Sequence, residues 1–377
     1  MKRLAATSIL LVLALLFTLA GCGGQSQPQQ PQLKQADFDQ SFSGFTEDVG
    51  AVANEVGQDL ALLALAKMPN GAPGPASSNA LTLMQLSQPN LASSADVSSL
   101  IRRITPLSGG TLPYGRLVYN ETSHRWERDS SYSGDDLVLV WSFEDVSNES
   151  HGAQLTTDWN YQGHETVDAT AKDGSTVELP TDTYVSLEVD GNEVGHVHGQ
   201  FAWYSGTSCG TIAEPTSVSI NGRFGASDHV DFSDISLQVS DSRVVFSGSI
   251  SASAGGDSGS FSWSLTANGS AVRGDDCFME KFNTNDGNLN LQSSVTKSGQ
   301  TESSEFNTNF TVNYDSTNTP SSLDLSNGYF KLNGQTAFTF SGTLDDSNHN
   351  GIPGENVTVT FADGSTTLEE LIMSSHN

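Results

Sequence analysis

The chain has 377 residues, of which 44 are Asp or Glu and only 16 are Lys or Arg, for a formal net charge of −28. That balance excludes nucleic acid as a partner, because phosphate binding needs a basic patch to release counterions; it equally disfavours adsorption to anionic lipid headgroups. Charged residues make up 16%, below the roughly 25% of an average soluble domain, so Ser, Thr, Asn and Gly must build much of the polar surface, as in exposed strands and turns.

Lys2 and Arg3 form a positive n-region, Leu4 to Leu19 an almost purely apolar stretch, and Leu19-Ala20-Gly21-Cys22 follows. The apolar run has the length of a signal-peptide core and carries no stop-transfer flank. Small residues just before a Cys are what the lipoprotein signal peptidase reads. In residues 1–22 the chain resembles a bacterial lipoprotein, with 1–21 as signal peptide. The resemblance implies cleavage before Cys22, diacylglycerol on its sulfur and acylation of the new amino end. Several acyl chains give stable anchoring where one would not. Gly23 follows the Cys where some bacteria place an inner-membrane retention Asp, so the expected location is the exported side of the cell envelope, with the outer membrane favoured. The alternatives are a transmembrane anchor or ordinary secretion.

Residues 22–33 hold the anchor Cys and a Gln/Pro-rich tether, a spacer with nothing apolar to bury until Leu33. Residues 34–106 read as a helical segment. Phe38, Phe42, Phe45, Val49, Val52, Val56, Leu60 and Leu63 recur at steps of three or four and share a stripe. Gly44, Gly50 and Gly57 weaken that helix by about 1 kcal/mol each against Ala, so it needs tertiary packing. A second helix is predicted from Ser94 to Ile104, its face formed by Val97, Leu100, Ile101 and Ile104, with Ser93 and Asp96 as a capping box.

From Thr111 the period changes from 3.6 to 2, and residues 111–377 read as an antiparallel β domain. Leu137 to Trp141, Tyr184 to Val189, Phe261 to Leu265, Phe306 to Tyr314 and Phe338 to Phe340 are predicted strands. Asp-Gly and Asn-Gly pairs at 173, 190, 221, 268, 286, 327 and 363 supply the positive φ of tight hairpins. The expected fold is mainly β: about a dozen strands in a large antiparallel meander, as a curved sheet, open barrel or sandwich. One face is buried and one wet, and the N-terminal helix is a lid over the apolar face. Thr367 to Ile372 is predicted to form a short final helix.

Cys209 and Cys277, an even pair without CxxC spacing in an exported chain, are expected to form a disulfide; a loop of that size implies about 4 kcal/mol of stabilisation. Asp346-Ser-Asn348-His-Asn350-Gly351-Ile352-Pro-Gly-Glu355 resembles the short Asp-rich calcium loops of thrombospondin type 3 repeats and dockerins. Oxygen side chains at positions 1, 3 and 5, Gly at 6 and the Ile352 carbonyl at 7 suit a hard cation. The loop departs from the pattern in its two Asn ligands and in Val357 at position 12, for which Asp345 and Glu355 partly compensate. The plain alternative is an Asn/Gly-rich turn between strands.

Other constellations carry less. Gly256-Asp-Ser258-Gly259 resembles the nucleophile segment of chymotrypsin-like serine proteases, but no His-bearing partner segment precedes it and a turn is expected there. His196 and His198 share a strand face and suit a metal, with His151, His164 and Glu193 as candidate third ligands. Arg273-Gly-Asp275 is an adhesion tripeptide, a pattern common by chance. Asp135/Asp136 and Glu144/Asp145 are adjacent pairs, which a strand points to opposite faces rather than across one sugar. The five tryptophans suit core packing better than a sugar platform. The expected function is a non-catalytic binding or scaffold module of the envelope, its partner a protein or glycan. The alternatives are a carrier of a hydrophobic ligand and, behind it, a hydrolase.

Overall fold

Alternation at period two requires a partner on each side of a strand, and here the partners come in chain order. A computed structural model describes residues 30–56, 59–69, 114–206, 208–315, 320–348 and 352–374. Cys22, most of the tether and the predicted helix at 94–104 lie outside the described residues. The described chain begins with two helices, α1 (Gln35–Val56) and α2 (Leu60–Ala66). Strands β1 (Gly115–Asn120), β2 (Arg125–Asp129), β3 (Leu137–Glu144), β4 (Ser150–Asp158), β5 (Val167–Thr170) and β6 (Thr176–Leu179) follow. Next come β7 (Asp182–Val189), β8 (Asn192–Gly206), β9 (Gly210–Phe224), β10 (His229–Val239), β11 (Arg243–Ala254) and β12 (Asp257–Arg273). The last six are β13 (Met279–Lys297), β14 (Gln300–Tyr314), β15 (Pro320–Leu332), β16 (Gln335–Leu344), β17 (Asn356–Phe361) and β18 (Gly364–Thr367), before a terminal helix α3 (Leu368–Ser374).

Strand pairing runs β2-β1-β3-β4-β7 and then consecutively from β7 to β18. Every one of these pairs is antiparallel except β1 with β3. The β5–β6 hairpin stands aside on its own small core of Trp159, Val177 and Leu179, and meets β9 through a single bridge from Thr170 to Ile212. The expected curved antiparallel meander is therefore the observed architecture, with eighteen strands among the described residues rather than about a dozen.

Alternation assigns the two faces. Gly248, Trp263, Leu291, Phe306, Phe330 and Phe338 stand opposite one another from β11 to β16, and the five large side chains among them are at most 8% exposed. Gly248 fits this row because a Cβ there would press on the Trp263 ring. On the opposite face Ser249, Ser262, Gln292 and Glu305 face one another, as do Ser251, Ser260, Ser294 and Ser303. Short hydroxyls pair across strands there, Ser260 Oγ with Ser294 Oγ at 2.8 Å and Thr296 with Thr301 at 2.9 Å.

The helices cover the apolar face and share its core. Phe38, Phe45 and Val52 are buried as the stripe predicts, and Phe38 packs edge-on against Phe330 and Phe338, 5.5 and 5.3 Å between ring centres. Val49, on the same predicted stripe, is exposed. The helix also does not run through to Leu63. Asp59 is extended and interrupts it, its carboxylate accepting from Ala61 N at 2.8 Å as the N-cap of α2. α2 then buries Ala61 and Ala64 rather than the leucines, and the Ala64 carbonyl accepts from the Trp141 indole of β3 at 3.2 Å. Small residues let this short helix lie close to the strands. At the other terminus, Thr367 caps the amide of Glu370, whose carboxylate returns to Thr367 N, so α3 starts with a capping box.

Of the seven Asp-Gly and Asn-Gly pairs singled out above, those at 173, 190 and 363 lie in hairpin turns. The other four lie inside long strands. Gly222 and Gly287 sit where a Cβ would collide with the neighbouring backbone, and for Gly287 also with the Phe310 ring. Asn268-Gly269 and Asn327-Gly328 mark register shifts. Other tight turns use Gly255-Gly256, Ser298-Gly299 and a further Asn-Gly pair, Asn333-Gly334, all at positive φ.

Replacing Phe38 by Ala is expected to cost about 3–5 kcal/mol, read as a lowered urea midpoint. Gly44 lies mid-helix with open space around its missing Cβ, so Gly44→Ala is expected to raise stability by about 0.5–1 kcal/mol.

Candidate functional site

Because consecutive strands alternate in direction, successive turns fall at alternate ends of the sheet. One end gathers the β3–β4, β7–β8, β11–β12, β13–β14, β15–β16 and β17–β18 turns. The entering chain reaches this end: Gln32 N donates to Thr336 O, and Leu33 O accepts from Ala362 N. The opposite end gathers the β8–β9, β12–β13 and β16–β17 connections, where the sequence-predicted disulfide and calcium loop are found.

Cys209 and Cys277 are bonded, joining the β8–β9 and β12–β13 turns. Beside the bridge, Arg273 pairs with the buried Glu214 at 3.0 Å and with Asp241 at 2.9 Å, and donates to the Cys277 carbonyl at 2.6 Å. Its guanidinium also stacks over Tyr204. The Arg-Gly-Asp tripeptide therefore spends its arginine on internal contacts.

Along the calcium-type loop, the Glu355 carboxylate turns back to accept from Asn348 N and Ser347 Oγ, both at 2.8 Å. Burial pushes the Glu355 carboxyl up, but these bonds outweigh it and leave its pKa below the ordinary value. Its second oxygen, Oε2, is shut off from solvent and has no hydrogen-bond partner among the described residues. Asp345 Oδ1 accepts from Asn356 Nδ2 at 3.0 Å. The Asn348 amide donates to both oxygens of Glu369, a buried carboxylate on α3. Asp346 and Ile352 belong to the same connection; Asn350 lies outside the described residues. Sequence reasoning missed Glu369, which lies far along the chain on a helix in no loop pattern. The donor set of Asp345, Asp346, Glu355 and Glu369 oxygens suits a hard cation.

The polar face carries a second group. Tyr184 of β7 stacks between Tyr161, 4.6 Å away, and His196 of β8 at 5.4 Å; His198 meets Tyr161 edge-on. Acidic partners fix the imidazoles. His198 Nε2 lies 2.7 Å from Asp182 Oδ1, and His196 Nδ1 lies 3.1 Å from Glu193 Oε1. Gln200 donates to the second oxygen of Asp182 at 3.0 Å. The two histidines thus share a face, as the spacing predicts, but each is held by its own carboxylate. His151 bonds elsewhere, at the β3–β4 turn, and His164 follows the short 3-10 turn Tyr161–Gly163. Ser258 opens β12 opposite Ser253 and Thr296, just after the Gly255-Gly256 turn. Trp141, Trp159 and Trp263 are core residues.

Burial, then the charge and hydrogen bond of Glu193, push Tyr184 up to about 12. In the unfolded chain tyrosine ionises near pH 10. Tyr184 therefore contributes no pH dependence below about pH 10, and stability is expected to fall as pH rises from 10 to 12, where only the unfolded chain gives up the proton. Absorbance at 295 nm should show Tyr184 ionising late in the native protein, as does Tyr329, which burial and Glu305 raise further; Glu193→Gln should move the Tyr184 step alone to lower pH. Comparison of the chain with protein-family models, with curated proteins and with solved structures found no match.

Proposed function

We propose that this chain is a lipid-anchored protein of the bacterial cell envelope that binds a partner on its polar sheet face, without catalysis. The observation that carries this reading is the use of the apolar face: α1 and α2 pack onto it with Phe38, Phe45, Val52, Ala61 and Ala64. A carrier needs that same face for its hydrophobic cargo. The polar face remains available, and its most distinctive feature is the Tyr161, Tyr184, His196 and His198 strip beside Asp182, Glu193 and Gln200. The outer ring faces of this Tyr161–Tyr184–His196 stack, beside the exposed Glu193 carboxylate and Gln200 amide, suit a sugar ring, whose C–H face stacks and whose hydroxyls donate, so a glycan is the favoured partner class. Anchoring through Cys22 and the tether would put the end bearing the Gln32 and Leu33 contacts towards the membrane. The disulfide and the calcium loop would then point away from it.

The test is native mass spectrometry of the chain from Gly23 onward, followed by binding to envelope glycans. Expected are a bare polypeptide mass and glycan binding that Tyr184→Ala weakens about tenfold, near 1.4 kcal/mol. An adduct of several hundred daltons lost on denaturation would overturn the reading in favour of the carrier.

Calcium is the proposed cofactor of the loop from Asp346 to Glu355, with Glu369 as an additional ligand. Calcium in hundredfold excess over its dissociation constant is expected to stabilise the fold by about 2.7 kcal/mol. Asp346→Ala and Glu369→Gln should each abolish the rise in melting temperature; a rise that survives both substitutions rules the loop out.

A further inference from the structure

The β3–β4 connection, at the end of the sheet opposite the calcium loop, carries a different set of donors. Asp145, Glu149 and His151 each aim one ligand atom into a common space, all three atoms within 4.8 Å of one another. Their placement comes from the hairpin itself. Asp145 Oδ1 accepts from the amides of Ser147 and Glu149, both at 2.8 Å, which fixes the carboxylate and leaves Oδ2 facing His151. Asn148 takes positive φ to close the turn. On the far side of the ring, Asp190 of the β7–β8 turn lies 2.7 Å from His151 Nδ1 and also accepts from Gly152 N at 2.9 Å. A carboxylate on Nδ1 favours a proton there, so that in the neutral ring the Nε2 lone pair faces Asp145 and Glu149.

Nε2 is shut off from solvent yet has no hydrogen-bond partner among the described residues. Its distance to Asp145 Oδ2, 3.6 Å, exceeds hydrogen-bond range. It matches two ligands of one ion: bonds of about 2.0–2.1 Å at a tetrahedral angle separate ligand atoms by about 3.4 Å. With the ring neutral, a lone pair facing two carboxylates is repulsive unless a cation lies between them; a proton on Nε2, paired with Asp145, is the occupant that a metal must displace. Imidazole nitrogen among the donors selects a borderline transition metal over calcium or magnesium. The geometry points to a zinc-class divalent metal site formed by His151 Nε2, Asp145 and Glu149, with Asp190 orienting the imidazole and a water completing the coordination. The metal would tie the β3–β4 turn, through His151 and Asp190, to the β7–β8 turn. This site shares no residue with the calcium loop or with the Tyr184 strip, so it stands independently of the proposed function.

The test is calorimetric titration of zinc into the full chain in detergent, after chelator treatment, with ring nitrogen shifts of histidine read in parallel. Expected is one equivalent of zinc that shifts His151 Nε2, is lost in both His151→Gln and Glu149→Gln, and binds about 10–100-fold more weakly in Asp190→Asn. Glu149 is exposed, so its substitution leaves the sheet intact and separates lost ligation from lost folding. No zinc uptake, uptake that survives Glu149→Gln, or a shift confined to His196 and His198 would overturn the site.

Discussion

A sheet of this breadth has one apolar face that must be covered, and that demand organises the rest of the molecule. The row from Trp263 through Leu291, Phe306 and Phe330 to Phe338 crosses five strands without a break. Left in water, such a row would drive aggregation rather than folding. The N-terminal helices answer it. Phe38 inserts its ring against Phe330 and Phe338, while α2 uses alanines to approach closely and accepts the Trp141 indole proton. The helical segment and the β domain share one core, although their sequence patterns differ in kind.

The sheet's two ends are chemically distinct. One receives the incoming chain and carries the Asp145, Glu149 and His151 group. The other carries the Cys209–Cys277 bridge, the Arg273–Glu214 pair and the acidic loop closed by Glu369. Each joins connections that the meander alone would leave independent. The edges are protected differently: β2 is charged along its length, Arg125-Trp-Glu-Arg-Asp129, and β18 has only four residues before α3 begins.

How far the fold can be read along the chain depends on the range of the interactions concerned. Phe38, Phe45 and Val52 lie on a helical period and are buried; Val49 lies on the same stripe and is exposed, because a period sets an angle but not the extent of the covering surface. The Asn-Gly and Asp-Gly pairs show a similar limit. Asp190-Gly191 turns a hairpin, whereas Asp286-Gly287 runs straight through β13. Both dipeptides permit positive φ, but Gly287 answers to Phe310 on the next strand, which no local pattern reveals. Among the candidate sites, the spacing from Asp346 to Glu355 is local and legible. Glu369 arrives from α3, and Asp190 reaches His151 from another hairpin.

The sequence by itself determined the class of structure: an acidic chain with an amphipathic helical stripe followed by a long run of alternating residues, hence a helix-covered antiparallel sheet and an oxidised cysteine pair. The helix and sheet follow from periodicity, which acts between near neighbours, and the cysteine pair from its even count in a chain expected to be exported. Tertiary structure alone decided the strand count, the break between α1 and α2, the internal role of Arg273 and the company of His151. Each depends on residues distant in sequence that only the register of a completed sheet brings within a few ångströms.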